Sequence, residues 1–590
     1  MFQSFDESTN PNDAPPRLVA LRKELVTEGL QGFIVPRADA HQGEYVANCD
    51  ARLAWLTGFT GSAGFCVVLL KKAGLFVDGR YRLQARDQAP DEIDIVPWPE
   101  EKAGPWIVEH AARGDVIGFD PWLHTRDEIT ALEKVLSAEG LALKAVENQV
   151  DRIWQDRPSP PQGAARAHAV EFAGEESAQK RARLAADLRE AGQKAAVLTL
   201  PDSICWLLNI RGSDIPRIPI VQAFAIFHND ARLDLFCAPQ KLETLSLETG
   251  ISAYEIESFG AHLSALEGPV RVDPMSAPQA IETLLTQAEC DIAWESDICA
   301  LPKARKNAAE LAGARKAHGR DAIAMVQFLA WLDATAPGGL TEIDVVKKIE
   351  GFRQETGALQ DISFETISGS GPNGAIVHYR VNERTNRALE NGELLLVDSG
   401  GQYLDGTTDI TRTIAVGPVG DTECDAYTQV LKGLIAVSRV HFPKGLAGRD
   451  LDALARQHLW AEGLDYAHGT GHGVGSYLSV HEGPQRLSRA GTVPFEPGMI
   501  VSNEPGYYEQ GAFGIRLENL IAVSESPHEG RLAFETLTYV PFDRRLIDVG
   551  QLSAAEITWL NAYHTLCHEM IAGSLPKGAL TWLEKATQPL

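Results

Sequence analysis

The sequence predicts a mixed fold, in which two related α/β domains precede a larger α+β domain. Three observations support this: a pattern that occurs twice in the first half, two breaks in regular structure, and a change of texture after the second break. At 590 residues the chain is too long for one hydrophobic core, and length alone suggests roughly three or four domains. We place the domains at 1–158, 165–303 and 307–590.

The repeated pattern lies in the first two domains. An apolar strand, GFIV at 32–35 or AAVLTL at 195–200, precedes a Trp-Leu pair, and Gly-Ser follows five residues after the Leu. The matching residues are Trp55, Leu56, Gly61 and Ser62 in the first copy and Trp206, Leu207, Gly212 and Ser213 in the second. A duplicated α/β unit explains this order better than chance.

Two segments interrupt regular structure. The prolines and glycine of DRPSPPQGA, 156–164, cannot continue a helix or central strand, and a helical pattern follows from about 174 to 191. The second boundary lies near LPKARKN, 301–307, and we expect the basic stretch 302–316 to be a linker that runs into a solvated helix face. Beyond it, apolar residues at helical spacing predict a helix that faces the core: Ala322, Met325, Val326, Leu329 and Leu332.

Composition argues against several classes of function. A net charge of −26 and a pI near 5.1 disfavour nucleic acid or an anionic membrane as the main partner. The first residues are acidic and polar and lack the features of a secretion signal, so we expect residues 1 to about 14 to form a loose tail. Eight cysteines without any CxxC spacing indicate reduced thiols in a cytoplasmic protein.

The third domain alternates β-rich runs with glycine-rich loops, which is typical of α+β structure with antiparallel pairing. The predicted β-runs are 392–400, 407–417, 498–508 and 514–523. Asp398 ends the first run and Asp409 lies within the second. Two acids on neighbouring strands, each in apolar surroundings, would repel each other unless a cation lay between them. A lone Asp at a strand end is more often a turn former, so this pair alone is a weak signal.

Histidines and glutamates extend the candidate site. Three histidines, His468, His472 and His481, fall in a single glycine-rich segment, which favours a binding site over isolated structural roles. Glu504 follows the apolar strand MIV. Glu518 lies in the run IRLENLIAV, where Arg516 shares its face and could be its partner; a metal is the alternative.

Together, four carboxylates and one imidazole would balance the charge of two divalent ions. Carboxylates can bridge two ions about 3.5–4 Å apart, and a bridging water would be acidified to a hydroxide nucleophile. Oxygen-rich ligation without thiolate favours manganese, or another first-row ion such as cobalt or iron. The remaining histidines, including His378, would shuttle protons or bind the substrate carbonyl and leaving group. GSGPNG at 369–374 lacks the context of a dinucleotide site, and no G-x-S-x-G is present.

The candidate site residues stand in five sequence blocks: VDSGGQYLDGTTDITRT, IVHY, HGTGHGVGSYLSVHEGP, NEPGYY and GIRLEN. These motifs resemble those of the metal-dependent creatinase/prolidase-type peptidases, and most of all the three-domain cytosolic Xaa-Pro aminopeptidases. Further blocks extend the likeness over nearly the whole chain: DAHQGEYV, TGFTGSAGF, VDGRYRLQA, LLNIRGSD and WLNAYH.

The resemblance implies two creatinase-like α/β domains followed by a pita-bread catalytic domain, and a homodimer in the cytoplasm. It implies a dinuclear manganese centre on Asp398, Asp409, His472, Glu504 and Glu518. It further implies that His378, His468 and His481 handle substrate and protons, and that Arg80 in DGRY reaches toward the peptide. Such enzymes release the N-terminal residue from peptides with proline in the second position. The X-Pro amide has no N–H and a fixed backbone, so it requires a dedicated site.

Three alternatives remain open at this stage. A prolidase, which cleaves only Xaa-Pro dipeptides, would carry the same ligands, although the three-domain layout favours the aminopeptidase. A catalytically inactive pita-bread protein could act as a binding module, but such relatives lose metal ligands. Metal-free hydrolysis of a small amide, as in creatinase, is disfavoured by the intact set of carboxylates.

Overall fold

The first two domains contain the same six-stranded mixed sheet, and the third combines antiparallel sheets with long helices. The computed structural model describes residues 1–6 and 9–590. The chain divides into two units, one of residues 9–300 and one of residues 301–590 together with residues 1–6. Among the described residues, no helix has both the length and the apolar character needed to cross a bilayer.

The first domain consists of one sheet and the helices around it. Its strands are β1 (Gly32–Pro36), β2 (Phe65–Leu69), β3 (Ala73–Val77), β4 (Asp94–Pro97), β5 (Val116–Phe119) and β6 (Ala142–Ala145). Its helices are α1 (Ala14–Thr27), α2 (Arg52–Thr57), α3 (Arg82–Gln88), α4 (Ala103–His110), α5 (Arg126–Ala138) and α6 (Gln149–Ile153). The sheet order is β4-β3-β2-β1-β5-β6.

The second domain repeats this plan. Its strands are β7 (Arg166–Ala167), β8 (Ala195–Leu198), β9 (Ile210–Arg211), β10 (Phe224–His228), β11 (Leu233–Phe236), β12 (Ile251–Tyr254), β13 (Val270–Val272) and β14 (Ile292–Trp294). Its helices are α7 (Val170–Ala173), α8 (Ser177–Glu190), α9 (Pro201–Leu208), α10 (Phe259–Leu263) and α11 (Gln279–Gln287).

The duplication predicted from the sequence is confirmed by the pairing of the strands. The second sheet has the order β12-β11-β10-β8-β13-β14. Read along the two sheets, the successive pairs are parallel, antiparallel, antiparallel, parallel and parallel in both. The repeated Trp-Leu pair lies on a helix in each copy, α2 and α9.

The third domain carries fourteen of the strands, and the pairs between its strands are antiparallel. Its helices are α12 (Ala300–Ala304), α13 (Ala308–Thr335), α14 (Glu342–Glu355), α15 (Asp421–Arg439), α16 (Gly448–Ala461), α17 (Ala554–Ile571) and α18 (Lys577–Ala586). Its strands are β15 (Asp361–Ile362), β16 (Ile367–Ser370), β17 (Glu393–Ser399), β18 (Gly401–Tyr403), β19 (Gly406–Thr407), β20 (Ile410–Val416), β21 (Phe442–Pro443), β22 (Gly471–Gly473), β23 (Glu482–Leu487), β24 (Ile500–Asn503), β25 (Gly506–Glu509), β26 (Phe513–Arg516), β27 (Asn519–Glu525) and β28 (Arg531–Thr536).

Helices cover two of the sheets in this domain. One apolar cluster joins α13 and α14 to β17 and β20, and it contains the predicted stripe on α13. Another joins α15 and α16 to β24, β27 and β28. Because side chains alternate along a strand, the helix-covered face of β17 and β20 takes Leu395, Val397, Ile410 and Ile414, and the other face takes Asp398 and Thr411.

The expectation of a loose N-terminal tail is wrong for the described residues 1–6; residues 7 and 8 lie outside the described residues. The side-chain oxygen of Gln3 accepts a hydrogen bond from Thr366 N (2.8 Å), and its amide donates to Thr366 O (3.3 Å). The Phe5 carbonyl accepts from Glu383 N (3.0 Å), and the Phe5 ring joins an apolar cluster with Tyr379. The polar composition predicted a tail, but the hydrogen-bond partner of Gln3 lies 363 positions away in the chain.

The basic stretch 302–316 is only partly the solvated face that its composition predicts. Lys303 and Lys306 are 3% and 5% exposed, because both contact the carboxylate of Glu482. Arg305 and Arg315 do lie at the surface, each with a glutamate partner. Buried and exposed basic residues thus lie within a few positions of each other. The density of basic residues in the sequence therefore predicted the wrong environment for the two lysines.

Candidate metal centre

The candidate ligands lie where the ends of two sheets meet. One sheet has the order β16-β17-β20, and the other has the order β21-β28-β27-β24-β22-β23. Asp398 is the penultimate residue of β17 and lies opposite Thr411 of β20. In the larger sheet, Asn503 pairs with Asn519, so Glu504 and Glu518 flank the last pair of β24 and β27 at one edge.

Three of the acids occupy short breaks between strands of different sheets. Asp409 lies between β19 and β20, Glu504 between β24 and β25, and Glu518 between β26 and β27. The prediction that Asp409 and Glu518 lie within continuous strands is therefore wrong. At two of these breaks, a single backbone hydrogen bond takes the place of the regular hydrogen bonding between strands. Glu504 N donates to Thr470 O (2.8 Å), and Glu518 N donates to Thr411 O (3.1 Å).

His472 lies at an irregularity of β22, where the register with β23 shifts between His472 and Gly473. Its Nδ1 is 2.9 Å from the carbonyl oxygen of Gly473 and must donate to it, since a carbonyl only accepts. The lone pair of the neutral ring is then at Nε2, which lies 3.5 Å from both Asp409 Oδ2 and Glu504 Oε1. A ring fixed in this way is typical of a metal-ligating histidine.

The structure brings most of the predicted ligands into one cluster. Asp409, His472 and Glu518 each offer a ligand atom within 4.8 Å of the others. Glu504 joins them through His472 and accepts a hydrogen bond from Ser502 Oγ (3.1 Å). The spacing and the donor set, three carboxylates with one imidazole, suit a divalent cation.

Asp398 is held by a cation from the protein itself. Arg516 Nη2 donates to Asp398 Oδ2 at 2.6 Å, and Arg516 is 1% exposed. From sequence, Arg516 was a possible partner of Glu518, because the two share a strand face in a continuous strand. The break at Leu517 and Glu518 separates them, and Glu518 instead accepts from Thr411 Oγ1 (2.8 Å).

The carboxylates suit a metal ion because they are buried and the surrounding protein leaves some of their oxygen atoms without a hydrogen-bond donor. No described residue donates a hydrogen bond to Asp398 Oδ1, Asp409 Oδ1 or Glu518 Oε1, although all three atoms are buried. Burial raises the pKa of Asp398 to about 7, against the influence of Arg516 and with that of Asp409 and Glu504. Burial and neighbouring carboxylates raise the pKa of Glu518 well above its usual range. Buried acceptors of this kind normally have partners, and divalent cations would supply them.

The same charges act on the imidazole. Burial works against the protonated ring, but Asp409 and Glu504 outweigh it and raise the pKa of His472 to about 9. Negative potential therefore dominates the centre of the cluster. The residues present fit a cationic group.

The other three predicted histidines differ in how closely the structure connects them to this cluster. The rings of His481 and His472 meet edge to face, with centroids 4.3 Å apart. His468 Nε2 is 2.9 Å from the hydroxyl of Tyr508, while its Nδ1 donates to Gly469 O (2.7 Å). His378 is half-buried and follows Val377, whose carbonyl accepts from Arg516 Nη1 (3.2 Å).

Arg80 belongs to the other unit, residues 9–300. Its guanidinium binds the carboxylate of Asp78 through Nε (3.0 Å) and Nη2 (2.7 Å), and it lies over the ring of Tyr81. These contacts describe its local environment, and its role toward a substrate stays a prediction of the resemblance.

Sequence reasoning missed the residues that hold the ligands. Tyr508 accepts from Arg516 Nη1 (2.7 Å) and thereby links Asp398 to His468. Thr411 bonds Glu518 with its hydroxyl and its carbonyl. Tyr508 lies in the motif NEPGYY and Thr411 in VDSGGQYLDGTTDITRT, so both motifs could be recognised in the sequence. The sequence alone did not show which residues these two side chains contact.

Comparison with known proteins gives the family. The sequence model of metallopeptidase family M24 matches residues 312–525, and the family model of the C-terminal region of peptidase M24 matches residues 530–590. The creatinase/prolidase N-terminal domain matches twice, at 17–153 and 156–310. The expected fold class, two creatinase-like α/β domains and a pita-bread domain, is thereby confirmed.

Full-length relatives agree with these matches. Aminopeptidase P2 of Arabidopsis thaliana is 39% identical over 95% of this chain and 86% of its own length. A probable Xaa-Pro aminopeptidase P of Coccidioides posadasii is 39% identical over 99% of this chain and 95% of its own. The structure of X-prolyl aminopeptidase from Caenorhabditis elegans, described as a cytosolic enzyme with a di-nuclear active site, superposes with a TM-score of 0.93 at 33% identity, covering 98% of this chain and 100% of that one. The chain belongs to metallopeptidase family M24, among the Xaa-Pro aminopeptidases.

Proposed function

We propose that this chain is a metal-dependent exopeptidase that releases the N-terminal residue from peptides with proline in the second position. The observation that carries the proposal is the cluster of Asp409, His472 and Glu518, whose ligand atoms lie within 4.8 Å of one another. The relatives that match the whole chain are named for the same activity.

Five residues would hold two divalent ions: Asp398, Asp409, His472, Glu504 and Glu518. When bound, such ions lower the pKa of a coordinated water and polarise the scissile carbonyl. Four carboxylates with one imidazole favour manganese over softer ions. The unpartnered oxygens of Asp398, Asp409 and Glu518 support this assignment, because no described residue satisfies them.

The surrounding residues would move protons. Tyr508 accepts a hydrogen bond from Arg516 and directs its own proton toward His468 Nε2, 2.9 Å away. His468 Nδ1 already donates to a carbonyl, so Nε2 is the atom at which this ring gains or loses a proton. Cleavage before proline produces a secondary amine, which must acquire a proton as it leaves.

The substrate would be oriented by His481 and His378. His481 lies edge-on to His472 and is therefore beside the proposed ligands. His378 follows a residue that Arg516 fixes, so its loop is tied to the same network. We propose that these two rings bind the substrate carbonyl and the leaving group, and that Arg80 contributes to binding of the peptide.

Manganese-dependent release of the first residue from an Xaa-Pro-Xaa peptide tests the proposal. We expect Asp409→Ala to lower kcat/KM by at least about 10³-fold, since a two-metal site would supply several kcal/mol of transition-state stabilisation and this variant removes one of its proposed ligands. Metal content after incubation with manganese, two ions per chain in the wild type, is the second measurement. A wild type that binds no metal and cleaves no peptide would leave the binding-module alternative in place.

Substrate length separates the aminopeptidase from a prolidase. An Arg-Pro-Pro tripeptide and an Arg-Pro dipeptide are assayed side by side, and the proposal requires cleavage of the tripeptide. Cleavage of dipeptides alone would identify a prolidase instead.

The proposed setting is a homodimer in the cytoplasm. The resemblance supports the dimer, and the description of the C. elegans enzyme as cytosolic supports the compartment. Sedimentation equilibrium of the purified chain gives the mass of the assembly, and a mass near 64.1 kDa would exclude the dimer.

A further inference from the structure

A buried ion cluster lies one residue away from His481. Lys303 Nζ is 2.8 Å from Glu482 Oε1, and Lys306 Nζ contacts Glu482 Oε2. Counting side-chain atoms alone, Lys303 is 3% exposed, Lys306 is 1% exposed and Glu482 is 0% exposed. Each oxygen of the carboxylate therefore lies beside a separate cation, and the contact of Lys306 with Oε2 has the geometry of a hydrogen bond.

Stability alone does not account for this cluster. Burying charges is costly, and apolar residues of similar size often serve a fold equally well. Two ammonium groups here face one carboxylate. What the arrangement does provide is a defined position for Glu482, because a buried carboxylate with a cation beside each oxygen has little freedom to move.

The lysines are themselves held in place. Lys306 Nζ also donates to the carbonyl of Lys303 (2.9 Å), and Lys306 N donates to Gly498 O (3.0 Å). At Gly498, with φ +91°, a Cβ atom would lie 2.6 Å from Lys306 O, so the close approach of the two chain segments depends on glycine. The segment from 303 to 306 is thus fixed to the strands that carry the site.

Glu482 connects the cluster to two histidines. It is the first residue of β23 and directly follows His481. It also lies opposite Gly473 at the register shift that follows His472. His481 and His472 meet edge to face at 4.3 Å, so a displaced Glu482 would change how the two rings meet.

We infer that Lys303 and Lys306 are positioning residues, which fix Glu482 and thereby hold the His481 ring beside the proposed metal ligands. This inference rests on the proposed peptidase activity. It assigns a function to the basic segment before the catalytic domain, which composition alone identifies as a linker.

Lys306→Met is the variant that tests the inference. It leaves Lys303 beside Glu482, so the buried carboxylate is not left without a cation. A displacement of His481 by a fraction of an ångström is expected to lower kcat/KM by about tenfold, since misplacement of a catalytic group by 1 Å can cost about a hundredfold. The metal content is expected to stay at the wild-type value.

Arg305→Met is the matched control from the same segment. Arg305 pairs with Glu496 at the surface (2.8 Å), and both side chains are well exposed. Its kcat/KM and melting temperature are expected to match those of the wild type. Should Lys306→Met and Lys303→Met both behave like Arg305→Met, the inference is wrong.

A double-mutant cycle separates positioning from a general loss of structure. If the lysine acts through His481, then Lys306→Met has no further effect on kcat/KM once His481→Ala is present. An equal tenfold loss in the His481→Ala background would overturn the inference. Lys303→Met provides a second cycle if Lys306→Met folds poorly. An inactive wild type would refute the proposed function itself, whereas an active wild type with additive losses would refute only the positioning role.

Discussion

Two isosteric substitutions at the cluster are expected to have opposite effects on the metal-free protein. Glu518→Gln and Asp398→Asn each replace one carboxylate oxygen by an amide nitrogen, and each removes a proposed metal ligand. The structure places these carboxylates differently: Asp398 is bonded to Arg516 (2.6 Å), whereas Glu518 has a threonine hydroxyl and other acids as neighbours.

The magnitudes follow from these contacts. Glu518 and Asp409 offer oxygens within 4.8 Å of each other, and at an effective dielectric constant of about 20 two charges at that separation repel by about 3.5 kcal/mol. The folded protein avoids part of this repulsion by keeping a proton, so Glu518→Gln leaves its stability unchanged or raises it by up to about 3 kcal/mol. Asp398→Asn strands the buried Arg516 cation, which costs about 3–5 kcal/mol.

Thermal unfolding after chelation measures both effects at about pH 8, above the raised pKa of Asp398 of about 7, so that its carboxylate is ionised. At roughly 2 °C per kcal/mol for a domain of this size, Asp398→Asn is expected to melt about 6–10 °C below the wild type. Glu518→Gln is expected to melt at or above the wild-type temperature. Both variants are expected to lose at least about 10³-fold in kcat/KM when manganese is restored.

Two results would refute this reasoning. Equal destabilisation of the metal-free protein by the two variants would mean that Arg516 does not distinguish Asp398 from Glu518. Retention of two metal ions and of activity by Glu518→Gln would mean that this glutamate is not a ligand. Titration with manganese, followed by analysis of bound metal, distinguishes the second case from a simple loss of affinity.

Two further predictions concern stability away from the cluster. Burial lowers the pKa of His564 to about 3, so below a pH of about 6.5 the unfolded chain binds a proton that the folded protein refuses, and stability is lost as pH falls. At about pH 4.5 this effect costs about 3 kcal/mol of stability. The melting temperature of His564→Gln is therefore expected to fall less than that of the wild type between about pH 7.5 and pH 4.5. An equal fall in both proteins would contradict the low pKa of His564. Phe5→Ala should cost about 3 kcal/mol by removing a ring that packs on Tyr379, or roughly 6 °C in melting temperature. Phe2→Ala is the control, since Phe2 is 37% exposed, and equal losses would show that the Phe5 contacts contribute little.

The arrangement of the first two domains could be predicted because it depends on local order. An apolar strand, a helix with Trp-Leu and a turn recur in each copy, and the two sheets share one strand order. The pairing of distant strands, such as β1 with β5, leaves no local pattern and had to come from the structure. The same limit explains the N-terminal residues, since Gln3 and Phe5 bind residues more than three hundred positions later.

In the third domain, periodicity predicted burial correctly but not the partners of each strand. Apolar residues continue through the run that contains Glu518, because Ile515, Leu517 and Leu520 are all buried. The run nevertheless splits into strands of two different sheets. Sequence spacing therefore placed Arg516 beside Glu518, whereas the break turns it toward Asp398, a residue 118 positions earlier.

The breaks also explain how one site can draw side chains from several strands. In an unbroken sheet, neighbouring side chains on one face stay about 4.5–5.5 Å apart at Cβ and point away from the sheet, so they cannot all converge on one point. At Asp409, Glu504 and Glu518 the chain leaves one sheet for another, and the carboxylate sits where the ladder stops. Bonds to Thr470 and Thr411 then replace the ladder at Glu504 and Glu518. These backbone bonds join segments of the domain without any ion, so they hold the acids close together in the metal-free protein. Burial and the neighbouring carboxylates raise the pKa values of Glu504 and Glu518, and bound cations would offset this unfavourable environment.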